Sequence, residues 1–166
     1  MVNLKTVTIA LLLVLLGIWA VVHSLPSEEK KVRKQFDLLA QSVSKGRGEG
    51  TIGTAQKVQS IRTLFAKNCG LHIRVYSLSG NYTPHEIASH AARARLRFSR
   101  LSLRFYDLDI EFPEEGTAKA TLTARLTGTT TTGEHVDETR ELECVLKRTD
   151  GKWLFSDCDV VEVLRK

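Results

Sequence analysis

The sequence predicts an α+β domain in which a curved antiparallel sheet packs around about three helices, preceded by one transmembrane helix. Three observations carry this. Stretches between residues 28 and 97 repeat apolar side chains at intervals of three and four, the period of a helix with one buried stripe. Beyond residue 100 the apolar positions alternate instead, as in strands with one wet face. That alternation slips once, from odd phase (Leu101, Leu103, Phe105) to even phase (Tyr106, Leu108, Ile110, Phe112), which predicts a β-bulge at Phe105 and Tyr106 and a bent sheet.

The chain opens with 20 residues, 6–25, that contain no Lys, Arg, Asp or Glu. As a helix they span about 30 Å, the thickness of a bilayer's hydrocarbon core. Trp19 and His23 lie near the end, where amphipathic rings suit headgroups, and Pro26 follows where a helix stops. A cleaved signal peptide is the alternative, with Val22, His23 and Ser24 as its cleavage site. The uncleaved anchor is preferred, because the apolar run exceeds a signal core and contains no Ala-x-Ala triplet. The division expected is therefore an anchor over 1–25 and a folded domain over 26–166. Lys30, Lys31, Arg33 and Lys34 after the anchor argue for a cytoplasmic domain, whereas a short leading tail argues for the opposite side. The extracytoplasmic, periplasmic side is favoured.

Val32, Phe36, Leu39 and Val43 predict a helix over 28–44, with Ser27 as its N-cap and Glu28 and Glu29 at the positive end of its dipole. Gly46, Gly48 and Gly50 break it. A second helix is expected over 54–68, on Ala55, Val58, Ile61, Leu64 and Phe65, with Gly70 as its left-handed cap and Cys69 beside it. Residues 71–80 read as one strand. Thr83, Pro84 and Glu86 form a capping box that starts a third helix over 84–97. Four long strands follow. One places Ala118, Ala120, Leu122, Ala124 and Leu126 inward, the next Leu142, Cys144 and Leu146. The loop 128–133 separates these two, and Thr149, Asp150 and Gly151 turn into a last strand that is apolar on both faces in places, as a central or interface strand would be.

Composition removes several classes. With 24 Lys+Arg, 19 Asp+Glu and three Pro in 166 residues, the chain is neither collagen-like nor disordered. The three cysteines, Cys69, Cys144 and Cys158, cannot all pair with one another. Cys144 and Cys158 share a face if the intervening loop has three residues and no bulge intervenes. A bridge between them depends on register, and two buried thiols are the reading preferred.

The order helix, helix, strand, helix and four long strands, ending in Lys147-Arg148-Thr149-Asp150-Gly151-Lys152-Trp153-Leu154-Phe155 and then Asp159 to Leu164, resembles the nuclear transport factor 2-like superfamily, which includes the SnoaL-like proteins. The resemblance covers about 28–166. It implies a cystatin-like cone with a pocket in its concavity, and a homodimer formed through the sheet. It says little of chemistry, since that cone serves isomerases, dehydratases, hydrolases and non-catalytic domains alike.

Residue by residue, no catalytic set emerges. An isomerase site needs a carboxylate base facing a Tyr and a protonated acid, but the first helix has neither Tyr nor His, and Asp107, Asp109 and Glu111 take the water-facing phase. His23, His72, His85, His90 and His135 are scattered, and the five-residue spacing of His85 and His90 does not suit a shared metal. No cofactor motif occurs. Arg93, Arg95, Arg97, Arg100 and Arg104 suit the negative end of the third helix and the polar phase of a strand, so nucleic acid is not expected. The expectation is a membrane-anchored, non-catalytic module that meets the bilayer through 6–25 and binds a protein partner or small apolar ligand, without cofactor or metal. A SnoaL-like or ketosteroid-isomerase-like enzyme is the alternative. The ligand pocket residues are not assignable at this level.

Overall fold

A computed structural model describes residues 27–73 and 78–161. They form α1 (Glu28–Val43), α2 (Thr51–Leu64), β1 (Phe65–Ile73), β2 (Leu78–Tyr82), α3 (Pro84–Leu96), β3 (Phe98–Glu114), β4 (Thr117–Thr130), β5 (His135–Thr149) and β6 (Lys152–Val161). The strands make one six-stranded sheet in the order β2-β1-β6-β5-β4-β3, antiparallel throughout except where β1 runs parallel to β6. The expected anchor and the boundary at 25/26 lie outside the described residues. Among those described, no helix is long and apolar enough to cross a membrane.

The chain divides into two compact units, Met1–Lys31 and Val32–Lys166. What is described of the first is one helical turn. There Ser27 Oγ accepts from the Lys30 amide at 3.3 Å, the cap read from the sequence, and Lys31 pairs with Glu28 at 2.7 Å.

In the second unit, the apolar stripe of α1 is buried through Val32 and Phe36. The Phe36 ring meets Phe105 of β3 at 5.6 Å and Phe155 of β6 at 5.0 Å, both edge to face, the geometry aromatic quadrupoles favour. Ile61 and Leu64 of α2 and Ile87 and Ala88 of α3 complete the helical side of the core. On the sheet side stand Ala118, Ala120, Leu122, Cys144, Leu146, Trp153 and Phe155. β6 lies between β1 and β5, which accounts for its apolar character on both faces.

Two elements differ from the expectation. The second helix is shorter, because Phe65 turns extended (φ −107°, ψ 146°) and pairs with Phe155 of β6. An apolar run of Ile61, Leu64 and Phe65 fits either period, and pairing with the central strand decides it. Gly70 is therefore a strand residue and not a helix cap. A Cβ there would collide with the Asp157 carboxylate, which would have to swing aside. Cys69 beside it is fully buried in β1 rather than ending a helix. The expected single strand over 71–80 is a pair, β1 and β2, with Leu71 opposite Gly80.

The bulge in β3 exists, but it falls between Tyr106 and Asp109, with Asp107 at φ +51°. Asp tolerates the left-handed region far better than Phe or Tyr, so the extra residue settles there. Tyr106 consequently stays on the outer phase, 42% exposed, while Leu108 and Ile110 return inward. The third helix starts on the expected capping box: the Glu86 amide donates to Thr83 Oγ1 at 3.3 Å, and the Thr83 amide to Glu86 Oε2 at 2.8 Å.

The sequence pattern places Arg95 at the exposed end of its own helix. It is instead 1% exposed and caps another one. Its Nη1 donates to the carbonyls of Ser42, Val43 and Ser44 at 2.8, 2.7 and 2.7 Å, and its Nη2 pairs with Glu49. Glu49 also accepts from Lys57 at 2.6 Å and Thr54 at 3.1 Å. Burial pushes the Glu49 carboxyl up, but the hydrogen bonds from Lys57 and Thr54 and the charge of Arg95 outweigh it and hold the group below its ordinary 4.5. A carboxyl lowered by folding stabilises above its unfolded value, and that stability is lost as pH falls through the folded one. Urea unfolding should therefore show stability declining below pH 4.5. Glu49→Gln should cost about 2 kcal/mol at neutral pH and flatten that decline, since a charged hydrogen-bond partner of a buried guanidinium is gone.

Candidate functional site

The inner face of the sheet is not covered along its whole length. Beyond the rows that pack against Phe36, a hollow of about 180 Å³ is lined by Ile73, Leu103, Ala124, Leu126, Glu138, Arg140, Leu142 and Val160. Register places these side chains. Leu103 of β3 stands opposite Leu126 of β4, which stands opposite Glu138 of β5. Ala124 stands opposite Arg140, and Leu142 opposite Val160. The short methyl of Ala124 sits among larger neighbours and leaves room that a Leu would fill. The lining is apolar apart from one pair, Arg140 and Glu138, whose charged ends approach to 4.0 Å with side chains 49% and 35% exposed. The hollow thus offers a greasy floor and one polar edge.

One row further in, Cys144 faces Cys158 across β5 and β6, and Leu71 of β1 continues the row. The sequence allows a shared face for the two thiols only with a three-residue loop and an unbulged strand. The turn in fact has two residues, Asp150 and Gly151, both at positive φ (50° and 76°), with Thr149 opposite Lys152. A bulge between Val145 and Leu146 then inserts Ser156 and restores the pairing. Two departures cancel, and the thiols meet. All three cysteines are free. The hydrogen bond with Cys144 and burial push the Cys158 thiol well above its usual value, and burial pushes Cys69 up to about 12, with Cys158 and Asp157 adding to it. These are protonated, poorly nucleophilic groups.

The residues weighed from the sequence are dispersed. Asp107, Asp109 and Glu111 are exposed, as their phase implies. His72 lies on the opposite phase of β1 from the inward-facing Leu71 and Ile73, with Nδ1 3.3 Å from Ser79 Oγ. His90 contacts the Tyr82 ring at 5.6 Å, and His135 lies 3.3 Å from Thr129 on the β4–β5 hairpin. Among the described residues no group of three or more His, Cys, Asp or Glu could hold a metal. Sequence reasoning misses Glu138 and Arg140. Their signal is present, because they continue the inward phase of Leu142, Cys144 and Leu146 backward along β5. The outward phase of β4 and β5, with Lys119, Thr121, Arg125, Glu141, Glu143 and Lys147, is exposed and polar.

This architecture, three helices against a curved six-stranded sheet, is the nuclear transport factor 2-like fold. Solved structures share it: a protein of Kribbella flavida (TM-score 0.69, 9% identity, covering 81% of this chain and 90% of that one); the type 2 hexachlorocyclohexane dehydrochlorinase LinA (0.64, 12%, 81% and 84%); and Aln2 from a Streptomyces species (0.60, 18%, 82% and 93%). No protein-family model and no curated protein matches the sequence.

The thiol geometry is directly checkable. Without reductant, the native protein should resist iodoacetamide at Cys69 and Cys144, and all three cysteines should alkylate once the chain is unfolded. Mass spectrometry that leaves Cys144 and Cys158 unmodified in the unfolded chain would show them bridged.

Proposed function

We propose that the domain is a membrane-anchored, non-catalytic module that holds a small apolar ligand in the hollow of its sheet. The carrying observation is the lining: Ile73, Leu103, Ala124, Leu126, Leu142 and Val160 meet there, with Glu138 and Arg140 at one edge. A space of 180 Å³ is close to a cavity of about 150 Å³ that accepts benzene, so one aromatic ring or a short branched alkyl group fits it. Burial of such a group against aliphatic side chains supplies the affinity, and the polar edge orients a hydroxyl or carbonyl on the ligand. The tether is the apolar run 6–25, whose length supports placing the domain beside a bilayer, and the short tail before it supports the extracytoplasmic side.

The enzymatic alternative has one observation in its favour. Glu138 lines the hollow, and a dehydrochlorinase shares the fold. A general base needs reach to a substrate proton. Here Arg140 engages the Glu138 carboxylate at 4.0 Å, an arrangement suited to recognising a polar group. The exposed charges on the outer sheet face likewise imply that a second copy docking there would pair charges more than it would bury apolar area.

Benzyl alcohol is a suitable probe. In a methyl NMR titration of the full chain, shifts should be confined to Ile73, Leu103, Leu126, Leu142 and Val160. Ala124→Leu should abolish them while leaving the remaining spectrum in place. Shifts elsewhere, or shifts that persist in Ala124→Leu, would remove the hollow as the binding site.

A further inference from the structure

We propose that the end of the domain where α1 leads into α2 and α3 leads into β3 docks on an anionic phospholipid surface. Headgroup phosphates would meet Arg47, Arg93, Arg97 and Arg100, and the acyl boundary would receive Ile52 and Leu96. This surface is separate from the hollow, and it stands without the apolar run 6–25.

Four segments converge at this end. Arg95 of α3 reaches the carbonyls of Ser42, Val43 and Ser44 and the carboxylate of Glu49. Lys45 Nζ donates to the Arg95 and Phe98 carbonyls at 3.3 and 2.8 Å, and its backbone exchanges hydrogen bonds with Leu101. The Thr131 amide of the β4–β5 hairpin donates to the Arg97 carbonyl at 2.9 Å.

The charge gathered here is one-sided. The cations are Lys45, Arg47, Lys57, Arg93, Arg95, Arg97 and Arg100; the carboxylates are Glu49 and Glu134. Glu49 is turned inward and engaged by Arg95 and Lys57, so it does not offset the surface. Asp137, further along β5, is held by Arg125 at 2.7 Å. Arg47, Arg93, Arg97 and Arg100 are exposed, and among the described residues none has a carboxylate in ion-pair range; Arg93 is 3.2 Å from His90 Nδ1. The whole chain carries a formal +5, an excess of the same sign and size as the one collected at this end.

Aliphatic exposure coincides with that charge. Ile52, in the first turn of α2, is 78% exposed, and Leu96, in the last turn of α3, is 69% exposed; the other exposed large hydrophobics among the described residues, Tyr106 and Phe112, stand at 42% and 43%. Branched aliphatic side chains within a basic surround suit the headgroup and acyl boundary of a bilayer. A single-stranded nucleic acid would favour aromatic rings on which bases stack, and neither Ile52 nor Leu96 offers one; a duplex would be held by the arginines alone and would leave both aliphatic side chains without a role. Cation complementarity and aliphatic insertion together favour lipid.

Amide hydrogen exchange on the full chain tests this, with bilayers of phosphatidylcholine alone and of phosphatidylcholine mixed with phosphatidylserine. Protection of 46–53 and 93–100 should appear only with phosphatidylserine and vanish at high salt. Each basic side chain near anionic lipid is worth about fivefold in binding, so combining Arg97→Gln with Arg100→Gln should raise the lipid needed by about thirtyfold. Both side chains are exposed, and unchanged exchange in β4 and β5 verifies the fold. The proposal fails if the two bilayers give equal exchange at these segments, if protection falls elsewhere, or if the double variant retains it. Protection by duplex DNA with none from phosphatidylserine would reassign the surface to nucleic acid.

Discussion

A buried guanidinium ties the helical layer to the sheet. The last carbonyls of a helix have no partners within it, and a glycine just past the end is the common remedy. After α1 the first glycine is Gly46, three residues late. Arg95 supplies the missing donors from another helix, and Lys45, two residues beyond α1, donates in return to the Arg95 and Phe98 carbonyls where α3 gives way to β3. The exchange fixes α1 against α3. The Lys45 and Leu101 backbones then clip both to the start of β3. Its cost is visible in Arg95 Nε, which has no acceptor among the described residues and forfeits about 1–3 kcal/mol. Several charged and neutral bonds to the same group exceed that loss, and withdrawing Glu49 would leave a buried cation with carbonyl dipoles alone.

With the helices placed, the bulges decide what the sheet presents. An extra residue at Asp107 keeps the apolar side of β3 inward on both sides of the bend, so Phe105 meets Phe36 while Leu103 reaches past it to the hollow. Ser156 does the same in β6, with a further effect. Without that insertion, the two-residue turn would set Cys144 opposite residue 157 and shift Val160 off Leu142. Hollow and thiol row therefore share one origin. The thiol row lies next to the floor, where burial holds the Cys158 thiol well above its usual value and so keeps it uncharged.

Local patterns expose much of this in the sequence. The capping box at Thr83, the alternation of β4 and the phase slip in β3 are each set by a few neighbouring residues, and each appears in the structure, while the turn read over Thr149, Asp150 and Gly151 closes one residue tighter. What stays hidden depends on distant partners. Ile61, Leu64 and Phe65 satisfy helix and strand alike until Phe155 is placed beside them. Arg95 looks like a dipole companion because the carbonyls it serves lie about fifty positions away in the chain. Glu138 and Arg140 are legible as phase but not as lining, since the hollow exists only where helices fail to cover the face. Cys144 and Cys158 share a face although both conditions set for it fail, because two irregularities of opposite effect cancel.

Electrostatics connects the interior to the surface. The glycine-spaced segment between α1 and α2 carries Glu49 and Arg47 two positions apart, and the fold sends them in opposite directions, one in to Arg95 and Lys57, the other out. Had Glu49 remained at the surface, it would have screened the neighbouring arginines and left Arg95 unpaired inside. Its inward turn satisfies the buried cation and, by the same movement, withdraws one of the two carboxylates at this end from Arg47, Arg93, Arg97 and Arg100. The outer field at this end is thus a by-product of how the core is neutralised. Glu49→Gln should make that field more positive, because it leaves one inner cation unmatched, whereas neutral replacements of the exposed arginines weaken the field and leave the core alone.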